Sequence, residues 1–181
     1  MNENKRSNDE LWELYDKVDE LQPCDFNEKS TKRHLCMTNP MRIKVNQDMM
    51  ELDKRKKKKM LFIEKNALDK NSQDVRLLKG TPVMAIRNNK PAGFVNGMTF
   101  TVKSIEPLVL KDTLFEGEIT MTKEMFQSHF YVAYCTTVHK AQGMTIREPY
   151  TIHEWSQMET SYTYTAIGRA SDKSLIMLKV A

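Results

Sequence analysis

The 181-residue sequence has no Gly-x-x-x-x-Gly-Lys-Ser/Thr segment, the loop with which many nucleotide-binding proteins cradle phosphate groups. No Asp-Glu pair follows an apolar strand, where it would complete a magnesium site beside such a loop. We therefore expect that the chain by itself binds neither a nucleotide nor Mg²⁺ in a pocket of this kind. No other metal site is indicated.

Cysteine is also scarce. Cys24, Cys36 and Cys135 lie far apart, are odd in number and show no metal-ligand spacing. This pattern argues against a disulfide framework and predicts reduced thiols in a reducing, intracellular compartment. No apolar run approaches the ~20 residues of a membrane span, and no signal peptide is visible, so we expect no membrane partner.

The composition, with 40% hydrophobic and 29% charged residues, is that of an ordinary globular domain. A chain of this length buries roughly 70% of its unfolded surface, enough for a substantial core. The net charge of +4 permits a polyanionic partner without requiring one. The most basic stretch is the run KRKKKK at residues 54–59. It is either a solvated helix end, where lysines are favourable against the helix dipole, or a nucleic-acid patch.

The stretch YVAYCTTVHKAQGMT, residues 131–145, has the clearest change of character in the chain. The apolar run Phe130–Cys135 predicts a strand buried on both faces of a parallel sheet. A polar cluster follows at once, with Thr136, Thr137, His139, Lys140, Gln142 and Gly143. Open α/β sheets place ligand sites at the carboxyl ends of their strands. The cluster is therefore a candidate ligand site, and the alternative is a solvated turn.

Buried strands alternate with amphipathic helices along the chain, which predicts an α/β fold with a parallel sheet flanked by helices. Residues 1–30 are expected to form an N-terminal tail and a linker helix that ends near Leu21, and residues 31–181 the main domain. Short strands with period-two character predict a small antiparallel β insertion at about residues 80–130. Its expected elements are strands at Thr99–Ile105, Leu108–Lys111 and Glu118–Met121 and a helix at Lys123–His129.

Four segments, in order, resemble those of the superfamily-one DNA helicases, above all the RecD-like branch found in many large DNA viruses. LCMTNPMRIKVN (residues 35–46) resembles motif IV, TTVHKAQGMT (136–145) motif V, and YTYTAIGRASDKSLI (162–176) motif VI. The segment at residues 77–102 resembles the stretch between motifs IV and V. The resemblance implies a RecA-like C-terminal motor domain of the P-loop NTPase type, active in DNA replication or repair. If the protein is viral, its compartment would be the host cytoplasm or nucleus.

For Arg169 the resemblance implies an arginine finger, which reaches the γ-phosphate of ATP held by a preceding domain. An arginine fixed by a helix can present its planar fork to phosphate oxygens. The alternative is a helix-terminal arginine paired with Asp172 or with a carbonyl. Gly168 stands where the family usually has a serine.

The nucleotide-binding positions implied by the resemblance are Gln142, Gly143 and Arg42. Thr145 stands where many relatives have a glutamate for the ribose. Arg42 and Asn46 lie four residues apart on one helical face, which is equally consistent with a plain polar surface.

The nucleic-acid-binding positions implied by the resemblance are Thr137, His139, Lys140 and Asn96. A hydroxyl and an imidazole can each donate a hydrogen bond to phosphate oxygens. Each position also has a structural alternative: a structural histidine, a solvated lysine, or a simple Asn-Gly turn at Asn96 and Gly97.

Two classes of function follow. In the first, the chain is the C-terminal motor half of an ATP-dependent helicase, with single-stranded DNA or RNA and the N-terminal motor domain as partners. ATP and Mg²⁺ then act only together with that first domain, and the chain alone is expected to be inactive. In the second, the chain is a nucleic-acid-binding or interaction module derived from a helicase and lacking catalysis.

Overall fold

A computed structural model describes residues 9–27, 31–54 and 59–179 of the chain. In chain order the helices and strands are α1 (Asp9–Asp16), β1 (Arg33–Cys36), α2 (Asn39–Lys54), β2 (Leu61–Ile63), β3 (Val75–Leu77), β4 (Pro82–Ala85), β5 (Thr99–Ile105), β6 (Leu108–Asp112), β7 (Glu118–Thr120), α3 (Lys123–His129), β8 (Phe130–Val132), β9 (Cys135–Thr137), β10 (Tyr150–Ile152), α4 (Thr160–Ile167) and β11 (Ile176–Leu178). They form two compact units. One comprises Met1–Arg42 with Cys135–Ala181, and the other comprises Ile43–Tyr134.

The first unit is built on a four-stranded parallel sheet with the order β11-β10-β1-β9. Every residue of β9, β10 and β11 is buried, as expected for a parallel sheet covered on both faces. Leu11 and Leu14 of α1 and Ala166 and Ile167 of α4 contribute to the same core. The predicted α/β class with a parallel sheet and flanking helices is confirmed.

The second unit contains a five-stranded antiparallel sheet with the order β7-β6-β5-β4-β8 and a separate hairpin of β2 and β3. Burial alternates along β6, so that one face of the sheet packs on a core rich in phenylalanine. Thr122 caps α3, because its side-chain oxygen accepts a hydrogen bond from the backbone N–H of Met125 at 3.2 Å. The predicted antiparallel sheet is thus present. The division of the chain near residue 30 stays a prediction.

The apolar run Phe130–Cys135 is not the single parallel strand that was predicted. Phe130–Val132 pairs antiparallel with β4, whereas Cys135–Thr137 pairs parallel with β1. Ala133 and Tyr134 belong to neither strand, and the boundary between the units follows Tyr134. One long buried strand and two short buried strands in different sheets give the same continuous apolar run. The sequence pattern does not distinguish them, because short buried strands show no periodicity.

Three further elements differ from the predicted bounds. Helix α1 ends at Asp16, and a turn closed by Glu20 N–H and the Lys17 carbonyl follows it at 2.8 Å. Helix α4 ends at Ile167, so Arg169 lies just beyond the helix rather than within its last turn. Strand β3 begins at Val75, before the segment Leu77–Ile86 in which a strand was expected; it is three residues long, too short to show a clear period.

Three expectations concern features that are absent or not described. Within residues 9–27, 31–54 and 59–179, no helix has both the length and the apolar character needed to cross a bilayer. The same residues contain no group of three or more His, Cys, Asp or Glu side chains arranged to hold a metal. The basic run at residues 54–59 lies mostly outside the described residues, so its role stays a prediction.

Candidate nucleotide and nucleic-acid site

Arg169 is held by two backbone carbonyls. Its Nε donates to the carbonyl oxygen of Thr165 at 3.0 Å, and its Nη1 donates to that of Met144 at 3.2 Å. The Asp172 carboxylate accepts from the backbone N–H and the hydroxyl of Ser174. In this conformation the guanidinium is therefore bound to carbonyls, as one of the two sequence interpretations proposed.

The loop after Gly143 is joined to the segment that carries Arg169. The backbone N–H of Ile146 donates to the Arg169 carbonyl at 2.6 Å, and that of Ser171 donates to the Ile146 carbonyl at 3.3 Å. Ile146 and Ala170 thereby form a short parallel bridge. The segments that resemble motifs V and VI are thus in direct contact.

Arg42 is buried, with 3% of its surface exposed, so it does not lie on a plain polar surface. Its Nε donates to Oδ1 of Asn39, one turn earlier in α2, at 3.1 Å. Partial burial, and then the positive charge of Arg42, lower the pKa of Lys140. The two cations share one region of the first unit, and an anion bound there would relieve their repulsion.

Glu154 organises the carboxyl edge of the parallel sheet and was missed by the sequence analysis. Its Oε2 accepts from the backbone N–H groups of Met37 at 2.8 Å and Thr38 at 3.0 Å, and its Oε1 accepts from the Thr38 hydroxyl at 2.7 Å. Glu154 has a φ of 60°, a conformation that is uncommon for a residue other than glycine. The sequence feature that could have indicated this role is an acidic residue two positions after the buried strand Tyr150–Ile152. Its partners lie more than 110 residues away.

The four predicted nucleic-acid contacts do not share one environment. Thr137 is 7% exposed, and its Oγ1 accepts from the backbone N–H of Lys140 at 3.3 Å. His139 is exposed and Lys140 is partly exposed, both at the carboxyl end of β9. Asn96 belongs to the second unit, where its backbone N–H donates to Oδ1 of Asn88 at 2.8 Å.

Gly97 has a φ of 91° and follows Asn96 in a turn that Met98 N–H closes on the Val95 carbonyl at 3.1 Å. A positive φ at the third position is typical of a type II turn, which favours glycine. The Asn-Gly pair therefore has a sufficient structural reason, and its predicted contact with nucleic acid stays a prediction.

Gln142 and Gly143 are exposed in the loop between β9 and β10. Gly143 has a φ of 83°, and no atom lies within 4 Å of the position its Cβ would take. Glycine is thus required here by the backbone conformation. The predicted nucleotide contacts of both residues stay predictions.

Two buried thiols lie in the same sheet. Cys36 and Cys135 are on the paired strands β1 and β9 and have no exposed surface. Burial, and then the neighbouring Cys36 thiol, raise the pKa of Cys135. Both cysteines are therefore packing residues with low reactivity.

Neither a protein-family model nor a curated protein sequence matches the chain. Among solved structures, it is similar to Bacteroides Pif1 bound to single-stranded DNA, with 15% identity and a TM-score of 0.72 over 97% of this chain and 50% of that chain. For the complex of Bacteroides Pif1 helicase with ADP-AlF3 and single-stranded DNA, the identity is 17% and the TM-score 0.70, over 97% and 50% of the two chains. For the Pif1 helicase from Candida albicans, the values are 12% and 0.69, over 94% and 53%.

These comparisons show that the chain has a fold like that of the Pif1 helicases. The chain spans about half the length of the solved structures that it matches. The RecD-like or viral branch stays a prediction.

Proposed function

We propose that the chain is the C-terminal motor half of an ATP-dependent helicase. In this proposal it contacts single-stranded nucleic acid and supplies Arg169 to ATP bound by a preceding motor domain. One observation carries the proposal: the loop after β9 is hydrogen-bonded to the segment at Arg169. Met144 and Ile146 are the loop residues that make these bonds. That loop begins at the candidate nucleic-acid residues and contacts the candidate finger before it reaches β10. A single short segment would therefore couple nucleic-acid contact to hydrolysis.

Arg169 would act through its charge and its planar shape. The two carbonyl bonds use two of the five N–H donors of a guanidinium, so others remain for phosphate oxygens. The preceding domain would supply the phosphate loop, Mg²⁺ and ATP. Arg169 would then stabilise the negative charge that spreads over the transferred phosphoryl group in the transition state.

Nucleic-acid binding would use the carboxyl end of β9. The exposed His139 and the partly exposed Lys140 favour phosphate oxygens there. Such contacts carry no sequence information, so binding would be largely independent of sequence. Bacteroides Pif1, which shares the fold, was crystallised with single-stranded DNA and with ADP-AlF3, and this supports both parts of the proposal.

The second candidate is a stand-alone nucleic-acid-binding module. The bonding of the Arg169 guanidinium to the carbonyls of Thr165 and Met144 favours it, since a purely structural arginine would make the same bonds. The absence of a phosphate loop from the 181 residues is consistent with both candidates.

An ATPase assay with and without a first motor domain distinguishes the two candidates. The partner domain is sought as a phosphate-loop sequence in the adjoining or continuous reading frame. We expect no turnover by the 181-residue chain, and turnover stimulated by single-stranded DNA when both domains are present. DNA binding without turnover in the two-domain protein would instead support the module.

A further inference from the structure

Helix α1 and the turn that follows it contact α4 in the first unit at several points. Leu11 and Leu14 share a core with Ala166 and Ile167. The Thr160 hydroxyl, at the start of α4, donates to Oδ1 of Asp19 at 2.6 Å. At the other end of α4, the α1 segment reaches the residues beside Arg169.

Tyr15 of α1 is the residue that makes this second contact. Its ring lies 5.1 Å from the ring of Tyr164, centroid to centroid, at an angle of 42°. Its hydroxyl oxygen lies 3.6 Å from the position that a Cβ on Gly168 would take. The same Cβ would lie 2.9 Å from the Tyr164 carbonyl oxygen, although Gly168 has an ordinary φ of −66°. Gly168 is thus favoured by the limited space and not by its conformation.

The Tyr15 hydroxyl is also within electrostatic reach of Arg169. Burial, and then the neighbouring Tyr164, raise the pKa of Tyr15, whereas the positive charge of Arg169 lowers it. The phenol is therefore neutral at pH 7. The carbonyls of Thr165 and Met144 fix the guanidinium at other points.

We propose that Tyr15 is a positioning residue for Arg169, because its ring and hydroxyl form a wall beside Gly168 that limits where the arginine side chain can turn. The proposal rests on the role of Arg169 proposed above and extends it to a residue more than 150 positions earlier in the chain. The displacement of a catalytic group by about 1 Å costs up to about 100-fold in rate. Removal of the Tyr15 hydroxyl alone, with the ring retained, should displace the guanidinium less and therefore lower the rate by a smaller factor.

The test is a double-mutant cycle in the two-domain protein. We expect Tyr15→Phe to lower kcat by about tenfold with KM for ATP within about twofold of wild type, since the loss of orientation affects the transition state more than ground-state binding. In an Arg169→Ala background the same substitution should cause no further loss, because residues that act through one another are not additive. Tyr162→Phe, on α4, removes an equivalent hydroxyl and should leave kcat unchanged. An unchanged kcat in Tyr15→Phe, or an equal loss in both backgrounds, overturns the proposal.

A second measurement uses the 181-residue chain and needs no activity. The NMR signal of the Arg169 Nε–H is sensitive to the hydrogen bonding and surroundings of the guanidinium. We expect Tyr15→Phe to shift or broaden this signal, and Tyr162→Phe to leave it in place. An unchanged signal in Tyr15→Phe overturns the proposal whatever the role of Arg169. Conversely, wild-type turnover by Arg169→Ala, with a signal that responds to Tyr15→Phe, refutes only the proposed finger.

Discussion

Nη1 of Arg169 donates a hydrogen bond of 3.2 Å to the carbonyl oxygen of Met144. If Arg169 acts on a phosphate, this bond is one that the guanidinium would exchange or share. A hydrogen bond to a charged group contributes about 1.5–3 kcal/mol to stability. An arginine finger contributes on the order of 10³–10⁵ in turnover, or roughly 4–7 kcal/mol. The guanidinium would therefore exchange its bond to Met144 for a phosphate contact only in the transition state, where the phosphate contact contributes more free energy than the bond.

Replacement of Arg169 in the two-domain protein tests its proposed role as an arginine finger. We expect Arg169→Ala to lower turnover by about 10³-fold or more, because the transition-state charge loses its stabilising cation. Arg169→Lys should restore little, since lysine lacks the planar fork. Steady-state ATPase measurements, with the affinity for ATP determined separately, provide the comparison.

Arg147 supplies a matched control for this experiment. It is an exposed arginine two residues before Pro149 in the loop that precedes β10. Arg147→Ala should leave turnover within a fewfold of wild type. If Arg169→Ala behaves like Arg147→Ala and only lowers the melting temperature, Arg169 has a structural role and the helicase proposal loses its main catalytic residue.

The elements best predicted from the sequence were those with strong local signals. The bounds of β5 and α3 agree with the structure, because alternating apolar residues define the first and the Thr122 cap defines the start of the second. The split of Phe130–Cys135 could not be predicted, because it depends on which distant strand pairs with each half.

The candidate site was predicted less completely than the fold. The burial of Arg42 and the role of Glu154 both depend on the order of strands in the sheet, which brings residue 154 to residues 37 and 38. Local patterns carry no information about this order. The proximity of Tyr15 to Gly168 is a contact of the same long-range kind.

Weak binding to single-stranded DNA is expected of the 181-residue chain. Phosphate contacts without base contacts predict micromolar or weaker affinity, with a log–log salt slope of about −0.7 for each contact. Fluorescence anisotropy of a labelled oligonucleotide at several salt concentrations measures both quantities. Sequence changes in the oligonucleotide should have little effect.

Substitutions at the carboxyl end of β9 locate the binding surface. Lys140→Ala, and His139→Ala combined with Thr137→Ala, should each weaken binding. Lys70→Ala should not, because Lys70 is an exposed lysine in the second unit, in the loop between β2 and β3. If the affinity does not change with salt concentration, the proposed phosphate contacts are wrong. If Lys70→Ala and Lys140→Ala have equal effects, the binding surface lies elsewhere.

The three thiols should react at very different rates. Cys24 is exposed, whereas Cys36 and Cys135 are fully buried and the pKa of Cys135 is raised by burial. Titration of the native chain with a chromogenic disulfide should therefore detect one fast thiol, and titration in denaturant should detect three. Cys24→Ser should abolish the fast reaction. Rapid reaction of two or more thiols in the native chain would contradict the observed packing.

The buried pair of His34 and His153 should make stability depend on pH. Nδ1 of His34 and Nε2 of His153 lie 3.0 Å apart, and both residues are almost fully buried. Burial, and then the neighbouring His153 and Lys179, lower the pKa of His34 to about 4. The unfolded chain, with an ordinary histidine pKa near 6.5, binds more protons between these values. The free energy of unfolding should therefore rise with pH from about 4 to about 6.5 and be lost as the pH falls.

The expected contribution of His34 across this window is about 3 kcal/mol, at about 1.4 kcal/mol for each unit of pKa. Carboxylates titrate in part of the same range, so the useful quantity is the difference between wild type and His34→Gln. Urea unfolding at half-unit pH steps from 4 to 7.5 measures it. We expect the pH dependence of His34→Gln to be shallower than that of wild type. His139→Gln, which removes an exposed histidine, is the matched substitution for comparison. Parallel stability curves for wild type and His34→Gln would show that His34 keeps an ordinary pKa in the folded chain.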